Sequence, residues 1–338
     1  MTKDTIRIGT RGSDLALWQT EWVVDRLRAL HPAVDFEITE IRTTGDRVRD
    51  RPLFQAGTVG LFVKELEAAL LDGEVDLAVH SLKDMPSRVT PGLTIAAVPE
   101  REDPRDALVS RWGHTVDALP QGARVGTSSR RRAAQLLALR PDLEILDIRG
   151  NVDTRLRKAE AEPYDAIVLA VAGLRRLGKG DRITQIIPPE VMLPPAGQGA
   201  LAVEIRADDK RTQALVAPVD HLETRRAVTA ERAFMARLRG GCHVPIGAFA
   251  VVDQETLWFR GLVSSVDGQT MLHGGCRGPL ARPEDLGAAL AEDLLAKGAE
   301  ELLDEGNRCL APERPGPSRT VQIDFRTGDA SPEPNQEE

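Results

Sequence analysis

The sequence predicts an α/β protein that ends in a smaller α+β unit, and three observations carry that prediction. Short apolar runs alternate with amphipathic helical patterns through most of the chain. A charged, proline-bounded break at Pro99-Glu100-Arg101-Glu102-Asp103-Pro104 separates two such series. From about His221 the order changes to one long helix, three successive strands and a final helix, as in a small α+β domain.

The elements follow in order. Ile6 to Gly9 is the first strand, and Ser13 caps a helix running to about Leu30, with Leu17, Val24 and Leu27 among its apolar residues. Phe36 to Arg42 reads as a strand. Thr43 to Thr58 is polar and contains glycine, a loop long enough to act as a lid. A helix over Leu61 to Leu71 and strands over Val75 to His80 and Leu93 to Val98 complete the first series. Beyond the break come a strand over Arg124 to Thr127, a helix over Ser129 to Leu139, a strand over Glu144 to Ile148, a helix over Val152 to Ala159 and a strand over Ala166 to Ala170. Leu201 to Ile205 reads as a strand that returns to the first domain. A helical run from Thr224 to Leu238 leads to Cys242, followed by strands at about 247–252, 257–263 and 270–276 and a helix at 284–304. The domains are therefore expected at 1–99 with about 200–217, at 105–193 and at 221–310. The remainder, 311–338, is rich in Pro, Glu and Ser and is expected to be disordered. The first two domains look similar in plan.

Composition narrows the function. The 338 residues allow two or three domains, and 41% hydrophobic with 28% charged residues is ordinary for a soluble globular protein. The N-terminal residues lack the apolar core and cleavage pattern of a signal peptide, and no stretch is long and apolar enough to span a bilayer. Three widely spaced cysteines make neither a disulfide framework nor a zinc spacing, so a cytoplasmic protein is expected. A net charge of −8 argues against nucleic acid as a partner. Only seven of the 44 basic residues are lysines. A GC-rich genome would produce such an excess of arginine, so only the placement of particular arginines bears on function.

Four strand-to-helix turns carry basic or hydroxyl groups: Thr10-Arg11-Gly12-Ser13, Thr127-Ser128-Ser129-Arg130-Arg131-Arg132, Arg149-Gly150-Asn151-Val152-Asp153-Thr154-Arg155 and Gly173-Leu174-Arg175-Arg176. Helix N-termini attract anions, and ligands of α/β sheets bind at the carboxyl ends of the strands. Each arginine alone reads as a surface charge; four clusters at equivalent strand ends predict a cleft for a polyanion or polycarboxylate. Lys83 and Asp84, in Val79-His80-Ser81-Leu82-Lys83-Asp84-Met85-Pro86, stand at another strand end. Asp84 reads either as an ordinary turn residue or as a carboxylate kept ionised among arginines, able to stabilise a cation or move a proton. Gly197-Gln198-Gly199 reads as a tight turn or a hinge where the chain crosses between domains. Gly240-Gly241 places Cys242 on a loop, where it is either a small buried cysteine or a nucleophile. No metal-ligand cluster, Walker A or complete G-x-G-x-x-G pattern is present.

The segments TRGSDLALWQ, AVHSLKDMP, EREDPRDAL, VGTSSRRR, RGNVDTRL, DAIVLAVAGLRRLG, LPPAGQGAL, TAERAF and GGCHVPIGA, in this order, resemble the porphobilinogen deaminase (hydroxymethylbilane synthase) family over about residues 5 to 310. The resemblance implies two domains resembling type II periplasmic-binding-protein halves, plus the small third domain. It implies a dipyrromethane cofactor held by a thioether to Cys242, on which four porphobilinogen molecules are condensed head to tail. Ammonia leaves at each step, and water finally releases hydroxymethylbilane for tetrapyrrole (haem) biosynthesis. It assigns catalysis to Asp84, where a carboxylate near pyrrole N–H groups stabilises positive charge. Ser81, Lys83, Asp84, Thr127, Ser129, Arg131, Arg132, Arg149 and Arg155 become cofactor-binding residues. Arg11, Ser13, Arg149, Arg155, Arg176 and Gln198 become substrate-binding residues, and a monomer is implied. Paired arginines suit the acetate and propionate of each pyrrole better than lysines do. One departure falls in the lid. The family's GGKGLF reads Gly57-Thr58-Val59-Gly60-Leu61-Phe62 here, and Gln55 nearby is uncharged, so lid closure is expected without a lysine contribution.

A non-catalytic anion-binding protein of the periplasmic type is the alternative. It would call for a signal peptide or lipoprotein cysteine and leaves the third domain unexplained. An anion-sensing regulator would call for a helix-turn-helix, whereas the chain begins directly with a strand.

Overall fold

Three sheets organise the chain in a computed structural model, which describes residues 4–42, 63–161, 163–239 and 244–308. The first sheet contains β1 (Asp4–Thr10), β2 (Val34–Glu40), β3 (Leu77–Ser81), β4 (Leu93–Ala97) and β10 (Leu201–Arg206), in the order β2-β1-β3-β10-β4. β1 runs parallel to β2, with Ile6 opposite Phe36, and parallel to β3. Helix α1 (Asp14–Leu30) starts where Ser13 Oγ accepts the Ala16 N–H at 3.4 Å. It packs Val23, Val24 and Leu27 onto Ile6, Ile8, Leu77 and Val79. Helix α2 (Lys64–Leu71) buries Leu66 and Leu70 beside Val75 and Leu93.

The second sheet has β5 (Asp106–Ser110), β6 (Arg124–Gly126), β7 (Glu144–Leu146), β8 (Ala166–Ala170) and β9 (Gln185–Ile187), in the order β7-β6-β8-β5-β9. The two sheets share one plan. In each, the second, first and third strands of the local series lie side by side, and then comes an antiparallel strand delivered by the crossing chain. β5 is that strand in the second sheet and β10 in the first. Helices α3 (Arg130–Leu139), α4 (Val152–Ala159) and α5 (Val171–Arg176) follow β6, β7 and β8.

Several expected boundaries move. The second strand spans Val34–Glu40 rather than Phe36–Arg42, and those after the break end at Gly126 and Leu146 rather than Thr127 and Ile148. The returning strand at Leu201–Arg206 does join the first sheet. The expected elements lack β5, β9, α5 and α6 (Lys210–Val216). β5 and β9 are too short for a period, and α5 begins after Ala170 without a side-chain cap, whereas Asp209 does cap α6 by accepting the Thr212 N–H.

The third unit is an antiparallel meander, β11 (Ile246–Asp253), β12 (Thr256–Ser264) and β13 (Met271–Pro279). It is covered by α7 (Leu222–Arg237) and α8 (Pro283–Leu294). Phe234 of α7 meets Phe259 of β12 edge to face, with centroids 5.3 Å apart, at the centre of its core. The expected 284–304 helix is two pieces. α8 passes through a π-type turn, Leu295–Ala299, that bends at Gly298 into α9 (Glu300–Arg308). No described helix is long and apolar enough to cross a membrane.

The chain crosses between the first two sheets twice, after β4 and before β10, and the crossings touch where Glu102 N–H donates to Gly199 O at 3.1 Å. Gly199 has φ +85°, and a Cβ there would lie 2.1 Å from Glu102 O, so only glycine fits. Glu231 of α7, fully buried, takes a forked pair of hydrogen bonds from Arg101 (2.7 and 3.2 Å) and accepts Gly197 N–H (2.7 Å) and Ala250 N–H (2.9 Å). One carboxylate thus ties both crossings to the third unit, at the Pro/Gly segment the sequence marks as a turn or hinge.

Candidate active site

The carboxyl ends of β1, β3, β6 and β7 carry Arg11, the Ser81–Asp84 turn, the Thr127–Arg132 segment and Arg149, whereas Gly173–Arg176, expected as a strand-to-helix turn, lies inside α5 with Arg176 as its last residue. Their electrostatic coupling gathers the central members into one place. Lys83 feels Asp84, Arg132, Asp106 and Arg131, and Arg155 feels Arg132, Arg149, Asp147 and Asp84.

Asp106, the first residue of β5 and fully buried, is the centre of this array. It accepts Arg131 Nη2 at 2.7 Å, Arg132 Nη2 and Nε at 2.7 and 3.0 Å, and Gln198 Nε2 at 2.9 Å. Burial pushes its carboxyl up, but the two guanidinium charges and the hydrogen bonds prevail and hold it at about 2. Arg131 and Arg132 direct further donors to Leu193 O and Val168 O. Their predicted role at the cleft therefore begins with an internal pair that sequence reasoning missed. Asp106 lies two residues beyond the charged break, inside the EREDPRDAL segment, and nothing there but an acid opening the short apolar run Ala107-Leu108-Val109 points to its role.

Two guanidinium groups share this one carboxylate, and a third stands beside them. Burial, then Arg132 and Arg149, lower Arg155 to about 10, and its Nε is buried without a partner. Arg131 Nε is likewise orphaned. Burial followed by Arg132 and Arg131, against the pull of Asp84 and Asp106, lowers Lys83 to about 8; its Nζ lies 3.4 Å from Gln198 Oε1. Lys83 retains surface inside the cleft, yet protein surrounds its ammonium closely enough to cost it hydration. Asp84, exposed at the end of a 3-10 turn (Leu82–Asp84), is an acid that acts on both Lys83 and Arg155, beside Asp106 for the first and Asp147 for the second. The site has surplus positive charge and unanswered donors, the condition of a place built for carboxylates.

The hydroxyl groups anchor helices. Ser13 caps α1, and Ser129 Oγ accepts Arg132 N–H at 3.4 Å to cap α3. Thr127 Oγ1 accepts Ser129 N–H at 3.2 Å. Each is left with a proton to donate. Ser81 pairs with Gln19 of α1, another partner the sequence did not single out. Arg149 Nε binds Asp147 Oδ2 at 2.9 Å. Arg176 is buried: Nη2 donates to Gly199 O at 2.7 Å and its guanidinium faces Trp18 at 5.9 Å. Arg176 thus joins the crossing segment. Arg11 is half-buried just beyond β1.

Cys242, Val59 and Gln55 lie outside the described residues. Cys276 is the one cysteine within them, and burial, then Asp293, pushes its thiol up to about 11, far from a reactive thiolate. Among the described residues no three His, Cys, Asp or Glu side chains group to hold a metal. A surface pocket of about 500 Å³ opens at the other end of β5, lined by Ser110, Arg111, Trp112, Glu160 and Arg182, and contains none of the predicted residues.

Lys83 makes the cleft pH-sensitive. An anion needs it protonated, so the affinity of the ligand-free cleft for a small dicarboxylate should fall as pH rises through about 8. Calorimetric titration from pH 6.5 to 9.5 checks this, and Lys83→Met should flatten that limb.

The family model described as "Porphobilinogen deaminase, dipyromethane cofactor binding domain" matches residues 6–214, and that for "Porphobilinogen deaminase, C-terminal domain" matches 225–296. The chain is 53% identical over 298 residues to a porphobilinogen deaminase of Syntrophotalea carbinolica, covering 88% of this chain and 95% of that one. It is 54% identical over 308 residues to one of Roseiflexus sp., covering 91% and 99%. A solved lipoprotein of the YaeC family from Enterococcus faecalis V583 overlays 64% of this chain and 90% of its own at 13% identity, with a TM-score of 0.39.

Proposed function

Because the chain belongs to the porphobilinogen deaminase family, we infer that its cleft condenses four porphobilinogen molecules head to tail, releasing ammonia at each step and hydroxymethylbilane at the end. It is a transferase of tetrapyrrole biosynthesis. The observation that carries the reading to these residues is the surplus of cationic donors around Asp106, with Arg131 Nε and Arg155 Nε buried and unanswered. A ligand bearing several carboxylates is what such donors fit.

Dipyrromethane is the family's cofactor; Cys242 would hold it through a thioether, and it would supply the primer to which each pyrrole is added. Arg131, Arg132, Arg149 and Arg155, with Lys83, Ser81 and the hydroxyl protons of Thr127 and Ser129, hold its carboxylates. Arg11, Ser13, Arg149, Arg155, Arg176 and Gln198 receive those of the incoming porphobilinogen. Asp84 stabilises the positive charge that develops on pyrrole nitrogen after ammonia leaves, and takes up or passes on the proton lost at ring joining. Carboxylates entering beside Lys83, which its surroundings hold at about 8, push it back up and keep it charged.

The protein is read as a cytoplasmic monomer with no nucleic-acid or membrane partner. Its three domains are read at 1–99 with 200–217, at 105–193 and at 221–310, and the separate sheets support that division. The alternative of a non-catalytic anion-binding protein is not favoured by the relatives. Incubation of the purified protein with porphobilinogen separates the two: four ammonia per hydroxymethylbilane are expected, and binding without ammonia release would overturn the reading.

A further inference from the structure

We propose that Gly268, at the tip of the β12–β13 turn, is a positioning residue for this reaction. It seats the third unit, which carries Cys242, against α3, the helix of Arg131 and Arg132. The inference rests on the family reading above.

The turn is built before it docks. Ser265 N–H donates to Thr270 O (2.9 Å), and Ser265 Oγ donates to Asp267 Oδ1 (2.6 Å) and accepts Thr270 N–H (3.0 Å). Asp267 Oδ1 also accepts Gln269 N–H (3.0 Å), and Gly268 N–H donates to Ser265 O (3.2 Å). These bonds fix where Gly268 points. It lies with φ +73° against the backbone of α3, where a Cβ would fall 2.2 Å from Ala134 O and 3.2 Å from Ala138 N. Ala134 O and Ala138 N are one rung of the helix, four residues apart. Only a residue without Cβ can press this close to it.

A second grip lies one turn nearer the start of the same helix. Arg130 Nη1 donates to Gly306 O of α9 at 2.9 Å. Gly306 in turn packs on Val244, where a Cβ would sit 3.3 Å from both Val244 methyl carbons. Val244 is the first described residue after Cys242. The third unit thus holds α3 at two points, and one of them leads directly to the segment beside the cysteine. The docked turn fixes the third unit, and with it Val244, against the helix that carries Arg131 and Arg132.

A methyl group at Gly268 forces the 2.2 Å approach to open by roughly an ångström, and a misplacement of that size far from the chemistry can cost about a hundredfold in rate. Gly268→Ala is expected to slow loading of the apoprotein with porphobilinogen, followed by intact mass, about tenfold or more. The kcat of the loaded enzyme should fall by a similar factor while KM stays within about twofold. Gly122→Ala is the control, because Gly122 has φ +70° with open space around it, so backbone strain is matched and displacement absent. It should load and turn over as the parent does. Should Gly268→Ala fail to fold, Arg130→Met, which removes the second grip and leaves the turn in place, decides: slowed loading with unchanged KM supports the proposal, and parental loading overturns it. Gly268→Ala matching Gly122→Ala in loading and kcat would also overturn it. A parent protein that takes up no adduct would instead sink the family reading.

Discussion

Asp84→Asn should lower turnover about 10²–10³-fold, the usual loss when one preorganised electrostatic group is removed from a reacting centre. The substitution keeps shape and removes only charge. Asp84 is exposed at the end of its 3-10 turn, so stability should change by no more than about 0.5 kcal/mol. Arg155 and Lys83 lose the acid that both of them feel, so carboxylate binding should hold or tighten. Steady-state kinetics with thermal unfolding checks both halves. Near-normal kcat would remove Asp84 from its role, and a large loss of stability would make it structural.

Asp106→Asn should have the largest effect on the fold. Removing one member of a buried ion pair typically costs about 3–5 kcal/mol, because the partner is left charged and unpaired. Here two partners are left, Arg131 at 4% and Arg132 at 7% exposure. The pH dependence follows from the depressed acid. A carboxyl held at about 2 stabilises the folded state fully above its ordinary value near 4, and that contribution disappears as pH falls through the folded value. Chemical denaturation at pH 7 and at pH 3 should show the variant's deficit shrinking at the lower pH. An equal deficit at both would mean that the carboxylate charge is not what holds the arginines.

The strand ends that face the cleft were legible because each carries its own chemistry. Ser13 and Ser129 precede helical periods as caps do, and arginines follow several strands in turn. What the sequence could not display was depth. Arg131 and Arg155 look alike as letters and each keeps an orphaned Nε, yet only Arg131 is paired with Asp106. That difference arises only when β5, delivered by the crossing chain, slots beside β8. Asp106 was hidden because a five-residue strand after a run of charges has no period to read. Glu231 was hidden for a related reason. An acid inside a helical pattern reads as surface until the hinge brings Arg101 and two backbone N–H groups to it. Cys242 was legible only from its glycine neighbours and from the resemblance, and the described residues end at Arg239 and resume at Val244.

The central claim is that the cleft works on a primer anchored to Cys242. Intact-protein mass spectrometry of the purified holoenzyme, followed by peptide mapping, tests it most directly. The predicted result is a mass above that of the bare chain by one dipyrromethane, on the peptide containing Cys242, and lost in Cys242→Ser. A bare-chain mass in protein that turns over porphobilinogen, or an adduct mapped to Cys276 or Cys309, would contradict it.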